Sequence, residues 1–203
     1  MPREQAQQST ATVRRRPGGR SARVRADVLQ AAIDELADAG YAAFGLDGVA
    51  RRAGVHRATL YRRWRTREDL LFDAIAEHAL DAVPIPDTGS VRDDLLRYAA
   101  AIAKSTGTPT MQAVIRSYIA EAVRNQALAD TARRYWKERM KLASVIVTRA
   151  IDRGELPASV DAGQVLEHVL GPLYLRRLVT GGTLGRQALA NIVDFTLAAA
   201  QAG

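Results

Sequence analysis

With 203 residues, 47% of them hydrophobic and 5% aromatic, the chain can hold a small module plus a second core, and its Ala- and Leu-rich composition favours an all-α protein over a sandwich or barrel. The absence of cysteine removes disulfides, thiolate zinc, iron–sulfur clusters and thiol nucleophiles; with no stretch near the roughly 20 apolar residues of a membrane span and no apolar N-terminal signal, a soluble cytoplasmic protein is expected. The net charge of +7 is uneven, because residues 1–67 hold 14 Lys/Arg against 6 Asp/Glu, a net of +8, which leaves −1 for residues 68–203.

Residues 1–21, with Arg14, Arg15, Arg16 and Arg20, read as a disordered basic arm. Their composition also suits an organellar transit peptide, but Pro17-Gly18-Gly19 interrupts any continuous amphipathic helix. From about Ala22 to Ala39, Val24, Val28, Leu29, Ala32, Ile33 and Leu36 recur at helical spacing, and Gly40 stands where a left-handed residue would end the helix. Leu46, Val49, Ala50 and Ala53 share one face of a short segment that meets Gly54, and a new helix can start near Arg57. Thr66 with Asp69 forms a capping pattern ahead of Leu70, Leu71, Ala74, Ile75 and Leu80, and that helix stops before Pro84 and Pro86.

Val83 to Gly89 then separates a 22–82 module from an 83–203 helical domain. Ser90 and Asp93 cap the next helix, Pro109 opens another after Thr108, Ala127 to Arg153 is one long periodic segment, and Asp161 with Gln164 caps a further helix. Pro172 inside that helix predicts a kink, and Thr183 starts the last one. The total is about nine helices, with no strand and no internal repeat.

The segment GLDGVARRAGVHRATLYRRWRTREDL, Gly45 to Leu70, carries the functional signal. Arginines alternate with His56, Thr59, Tyr61 and Trp64 at a helix start, where cations, hydroxyls and aromatics suit phosphate and base-edge contacts, while Ala58 permits close approach between Arg57 and Arg62. The plainer alternative makes Tyr61 and Trp64 core aromatics and the arginines a solvated face; core is favoured for Trp64 and phosphate contact for Tyr61.

Together, RADVLQAAIDELADAGY and AGVHRATLYRRWRTREDL resemble the N-terminal domain of the TetR/AcrR family of bacterial repressors, over about Ala22 to Leu80. The resemblance implies an N-terminal three-helix helix-turn-helix domain followed by a helical ligand-sensing and dimerisation domain. It makes Arg57 and Arg62 candidates for base contact and Thr59, Tyr61, Arg63 and Arg67 candidates for phosphate contact. Gly45 and His56 depart from the family pattern, which often has a hydroxyl residue at each place, and this puts one or two phosphate contacts in doubt. The implied partners are double-stranded operator DNA, a second copy of the chain and an unidentified small-molecule effector. The basic arm reaches an adjacent minor groove or tethers nonspecifically; both readings stand.

Many apolar residues end the chain: Val165, Leu166, Val169, Leu170, Leu173 and Leu178, then Leu189, Ile192, Val193 and Leu197. Two copies of these helices could form a four-helix bundle, and Val165, Leu166, Val169, Leu173, Leu189, Ile192, Val193 and Leu197 are the candidate dimer interface. Phe72, Ile75, Met111, Ile115, Tyr118, Trp136, Met140 and Tyr174 are candidates to line a ligand pocket, with plain core as the alternative. The cluster Arg133, Arg134, Lys137, Arg139 and Lys141, with Arg176-Arg177, reads as a solvated face, the alternative being an acidic ligand.

An enzyme is disfavoured: no Ser-His-Asp spacing, helix-borne His-Glu-x-x-His or glycine-rich phosphate loop occurs, and His78 and His168 have no evident metal partners. Neither cofactor nor metal nor catalytic residue is expected. A nonspecific DNA binder leaves the large neutral domain unexplained, whereas an activator or corepressor-dependent regulator shares every feature above.

Overall fold

The computed structural model describes residues 19–202, which are helical without a strand among them. In chain order these are α1 (Gly19–Ala43), α2 (Leu46–Arg52), α3 (Arg57–Arg63), α4 (Arg67–Ala82), α5 (Val91–Ser105), α6 (Pro109–Ala122), α7 (Gln126–Ala143), α8 (Val145–Asp152), α9 (Ala162–Tyr174) and α10 (Arg186–Ala202). Only Ser144 parts α7 from α8, and it keeps helical dihedrals (φ −58°, ψ −21°), so the long segment foreseen from the sequence is one rod with a local irregularity. Counted that way, the described residues hold nine α-helices.

The elements end where local chemistry ends them. Gly40 has φ +70°, which interrupts α1 before its last turn, as a residue without Cβ permits. After α2, the Gly54 N–H donates to the Arg51 carbonyl and the Val55 N–H to that of Ala50, a left-handed glycine closure (φ +65°) that turns the chain into α3. Side chains of Thr66, Ser90, Thr108, Asn125 and Asp161 accept from the third residue of the helix each one opens. The expected kink at Pro172 takes another form: α9 runs through to Tyr174 and widens into a π turn over Leu175–Thr180, where the helix register changes just past the missing proline N–H. The last helix begins at Arg186 rather than Thr183.

Two buried clusters hold the chain together. One gathers Val28, Leu36, Phe44, Leu60, Trp64 and Leu70 from α1 to α4, and it is completed by Met111 and Val114 of α6 and Leu128 of α7. The first four helices therefore share their core with elements beyond residue 83. The other cluster joins α5, α8, α9 and α10 through Leu95, Tyr98, Ile146, Leu166, Val169 and Val193. Helix α4 runs from the first toward the second, and Val83 at its end belongs to the latter. No helix among the described residues is long and apolar enough to cross a membrane.

Candidate nucleic-acid interface and effector cavity

Helix α3 buries Leu60 and leaves His56, Arg57, Ala58, Tyr61, Arg62 and Arg63 exposed, with Thr59 half-buried. Trp64, just past its end, is core: it is 4% exposed and its indole N–H donates to Asp73 at 3.0 Å. Asp47 on α2 holds the outer face of α3, since its Oδ1 accepts from Arg57 Nε at 2.7 Å and from the Tyr61 hydroxyl at 3.3 Å. The Arg57 guanidinium also lies over the Tyr61 ring, 5.4 Å from its centroid. At the start of α4 the Asp69 N–H donates to Thr66 Oγ1 at 3.1 Å. Arg52, also in the helix-turn-helix, is taken up by Glu35 and Asp38 of α1 at 2.9 and 2.8 Å.

Arg67 is half-buried and bonded within the protein. Its Nη1 donates to the Tyr41 and Phe44 carbonyls at 3.3 and 3.2 Å, its Nε to Glu68 at 3.2 Å, and its guanidinium lies 4.2 Å from the Tyr41 ring centroid. These contacts clamp the chain after α1 onto α4. The Tyr41 hydroxyl donates to Glu68 as well. Burial of Glu68 works to raise its pKa, but the bonds from Tyr41 and Arg67 outweigh it and the carboxyl lies below its ordinary value.

Behind α4 lies a cavity of about 260 Å³. Phe72, Ile75, His78 and Ala79 of α4 form one wall, Met111, Ile115 and Tyr118 of α6 another, and Thr131, Tyr135, Trp136 and Arg139 of α7 a third, with Tyr98 and Tyr174 closing the far side. Trp136 packs edge-on against both Tyr135 and Tyr174, with ring centroids 5.4 Å apart in each pair. The Tyr118 hydroxyl donates to the Leu128 carbonyl at 3.2 Å, and burial pushes its pKa up to about 12. Burial likewise raises the pKa of Tyr98, Tyr135 and Tyr174 and lowers that of His78, whose Nε2 is 3.3 Å from Ser105 Oγ. All the phenols are thus neutral near pH 7.

Residues 28–75 match the family model described as bacterial regulatory proteins, tetR family, and residues 85–196 match the model of the tetracyclin repressor-like C-terminal domain. The chain belongs to the TetR family. It is 40% identical to the HTH-type transcriptional regulator AqdR of Rhodococcus erythropolis over 77% of this chain and 75% of that protein. It is 29% identical to a DNA-binding transcriptional repressor of Mycobacteroides abscessus, over 85% and 90% respectively. The crystal structure of the TetR family transcription regulator SCO0332 superposes with a TM-score of 0.73 at 30% identity, covering 86% of this chain and 97% of that one. This TetR-family chain is accordingly a DNA-binding transcriptional regulator and not an enzyme.

Within this TetR-family fold the residues singled out in the sequence fall into three groups. His56, Arg57, Ala58, Thr59, Tyr61, Arg62 and Arg63 lie together on α3 and its cap, whereas Arg67, at the start of α4, turns its guanidinium onto the Tyr41 and Phe44 carbonyls. Phe72, Ile75, Met111, Ile115, Tyr118, Trp136 and Tyr174 all line the cavity. Met140 does not: one turn beyond Trp136, it packs against the C-terminal cluster.

The candidate dimer residues require correction. Val165, Leu166, Val169, Leu173, Leu189, Ile192, Val193 and Leu197 are all buried within one protomer, where they fill the cluster shared with α5 and α8, so they offer no surface to a partner. The exposed apolar side chains of this region are Leu175 and Val179 of the π turn and Phe195 of α10, at 53%, 74% and 75% exposure. Arg139, read from the sequence as part of a solvated charged cluster with an acidic ligand as the alternative, leaves the charged face of α7 and is 6% exposed. Its position four residues after Tyr135 and three after Trp136 was the available signal. Arg14, Arg15 and Arg16 of the arm lie outside the described residues, as does the Arg20 side chain.

Proposed function

We propose that the protein is a ligand-responsive repressor that binds a near-palindromic operator as a homodimer and lets go of it when a small molecule occupies the cavity behind α4. One observation carries this reading: α4 begins at the Thr66 cap beside α3 and supplies a wall of the cavity along its length. A ligand that changes the tilt of α4 moves the reading helix, and in a dimer two such movements alter the spacing of helices that must match successive major grooves about 34 Å apart. Shifting operator affinity 10- to 100-fold needs only about 1.4–2.8 kcal/mol of differential ligand binding. The relative from Mycobacteroides abscessus is named as a DNA-binding transcriptional repressor, which supports the same sign of regulation here.

The test begins with selection of bound fragments from the host genome, followed by fluorescence anisotropy on the recovered site. Tyr61→Ala and Arg63→Ala are expected to weaken binding to all sequences alike, and Arg57→Ala to weaken it and relax base preference, by about 1–3 kcal/mol at the affected position. Binding by all three variants as tight and selective as by the parent protein overturns the docking, and recovery of no discrete site overturns the regulator.

A further inference from the structure

Arg139 is the one permanently charged side chain in the cavity lining, and nothing in the lining neutralises it. No Asp or Glu is among the lining residues, and no ion pair of the described residues includes Arg139. Its Nη2 donates to the Val83 carbonyl at 2.6 Å, while its Nη1 is buried without a hydrogen-bond partner. The guanidinium lies 5.3 Å from the Tyr98 ring centroid. Tyr98, Tyr135 and Tyr174 line the same cavity as this guanidinium. The Tyr135 and Tyr174 hydroxyls make no hydrogen bond within the described residues and remain available as donors.

A buried guanidinium with an unused N–H is costly unless an acceptor reaches it, and an anionic oxygen satisfies it best. The rest of the lining selects the body of the ligand. Phe72, Tyr118, Trp136 and Tyr174 present ring faces and edges around about 260 Å³, room for a bicyclic aromatic but not for a large polar solute.

We propose that the cavity takes a small aromatic organic anion, its negative oxygen on Arg139 and the neighbouring phenols and its ring system between Phe72 and Trp136. This rests on the reading of the cavity as the effector site and adds the chemical class of the effector. Arg139 also ties the end of α4, through the Val83 carbonyl, to α7. An anion drawing on the same guanidinium therefore acts on the helix that carries the DNA-reading module.

The experiment compares 2-naphthoate, neutral 2-naphthamide and 2-naphthylmethylammonium by titration calorimetry against the full chain. The carboxylate is expected to bind at least about tenfold tighter than the amide, with the ammonium weakest. Arg139→Gln should reduce the carboxylate to the level of the amide, and Arg139→Lys should recover part of the preference as a point charge without the planar fork. Because Arg139 also holds Val83, each variant's thermal melt is recorded, but the comparison on the parent protein needs no variant. Equal or tighter binding of the amide, a carboxylate preference that survives Arg139→Gln in a folded variant, or binding of none of the three probes overturns the assignment. Operator binding is read separately by anisotropy: its absence with the carboxylate preference intact would refute the regulator and leave the anion site standing.

Discussion

Asp47 sits between the two jobs of the α3 surface. In the free protein its carboxylate occupies Arg57 and Tyr61, both of which the DNA-bound state would turn toward the duplex. The pair is exposed, with Arg57 and Asp47 side chains 66% and 52% accessible, so it contributes at most about 1 kcal/mol to the fold. Asp47→Asn should leave the melting temperature within a few degrees and strengthen operator binding by roughly two- to fivefold at low salt, an advantage that shrinks as salt screens the phosphates. Anisotropy showing weaker binding would instead make Asp47 a residue that prearranges Arg57. Glu68 faces the opposite way. Its folded pKa lies below its unfolded value, near 4.3, so its ionised form stabilises the protein above that value, and the contribution disappears as pH falls through the folded pKa. Glu68→Gln should therefore cost about 1–2 kcal/mol in urea unfolding at pH 7 and progressively less below about pH 4. A deficit of the same size at pH 3 would mean that shape, not charge, holds the Tyr41–Glu68–Arg67 cluster.

Among the helices, α4 couples local stability to function most directly. Thr66 accepts the Asp69 N–H, and loss of such a cap costs about 1 kcal/mol, so Thr66→Ala should lower the melting temperature by several degrees. If the N–H groups at the start of α4, beside α3, also meet a DNA phosphate, Thr66→Asp separates the two roles of the position: it restores the cap and the stability, yet sets a carboxylate against that phosphate, so operator affinity stays low. Full recovery of affinity in Thr66→Asp would remove that end of α4 from the DNA contact. These boundaries were legible in the sequence because each rests on one residue's own chemistry: Gly40 and Gly54 at positive φ, Pro109 at a first turn, and hydroxyl or carboxylate caps at Thr66, Ser90, Thr108 and Asp161. The arginines were not legible. Helical spacing cannot tell Arg133, exposed on α7, from Arg139, buried two turns later, because the difference lies in which neighbour covers the face. The internal bonds of Arg67 were hidden for the same reason: the carbonyls it donates to belong to residues 41 and 44, far back in the chain.

At the scale of the whole molecule, the apolar stripe of α9 and α10 that looked most suited to a partner is spent on the protomer's own core, and the surface left over is smaller and lies partly in the π turn. That division follows from the chain's size, since a helical domain of little more than 100 residues needs every strong apolar stripe to close on itself before it can offer one to a second copy. The proposed dimer is then made by Leu175, Val179 and Phe195, with the exposed Gly171, Ala198 and Ala199 allowing close approach of helices across a two-fold axis. A two-fold contact repeats each residue on both sides, so one charge enters the interface twice. Phe195→Glu should give a monomer by light scattering, with helical circular dichroism unchanged because the side chain lies outside the core. Operator affinity should fall by more than about 100-fold, because one half-site contact must then do without the second that a dimer adds at high effective concentration. Leu166→Glu offers the contrast: that side chain is fully buried in the protomer, so the expected result is loss of fold rather than loss of partner. A Phe195→Glu protein that remains dimeric would move the interface off this face, and with it the basis for a palindromic operator.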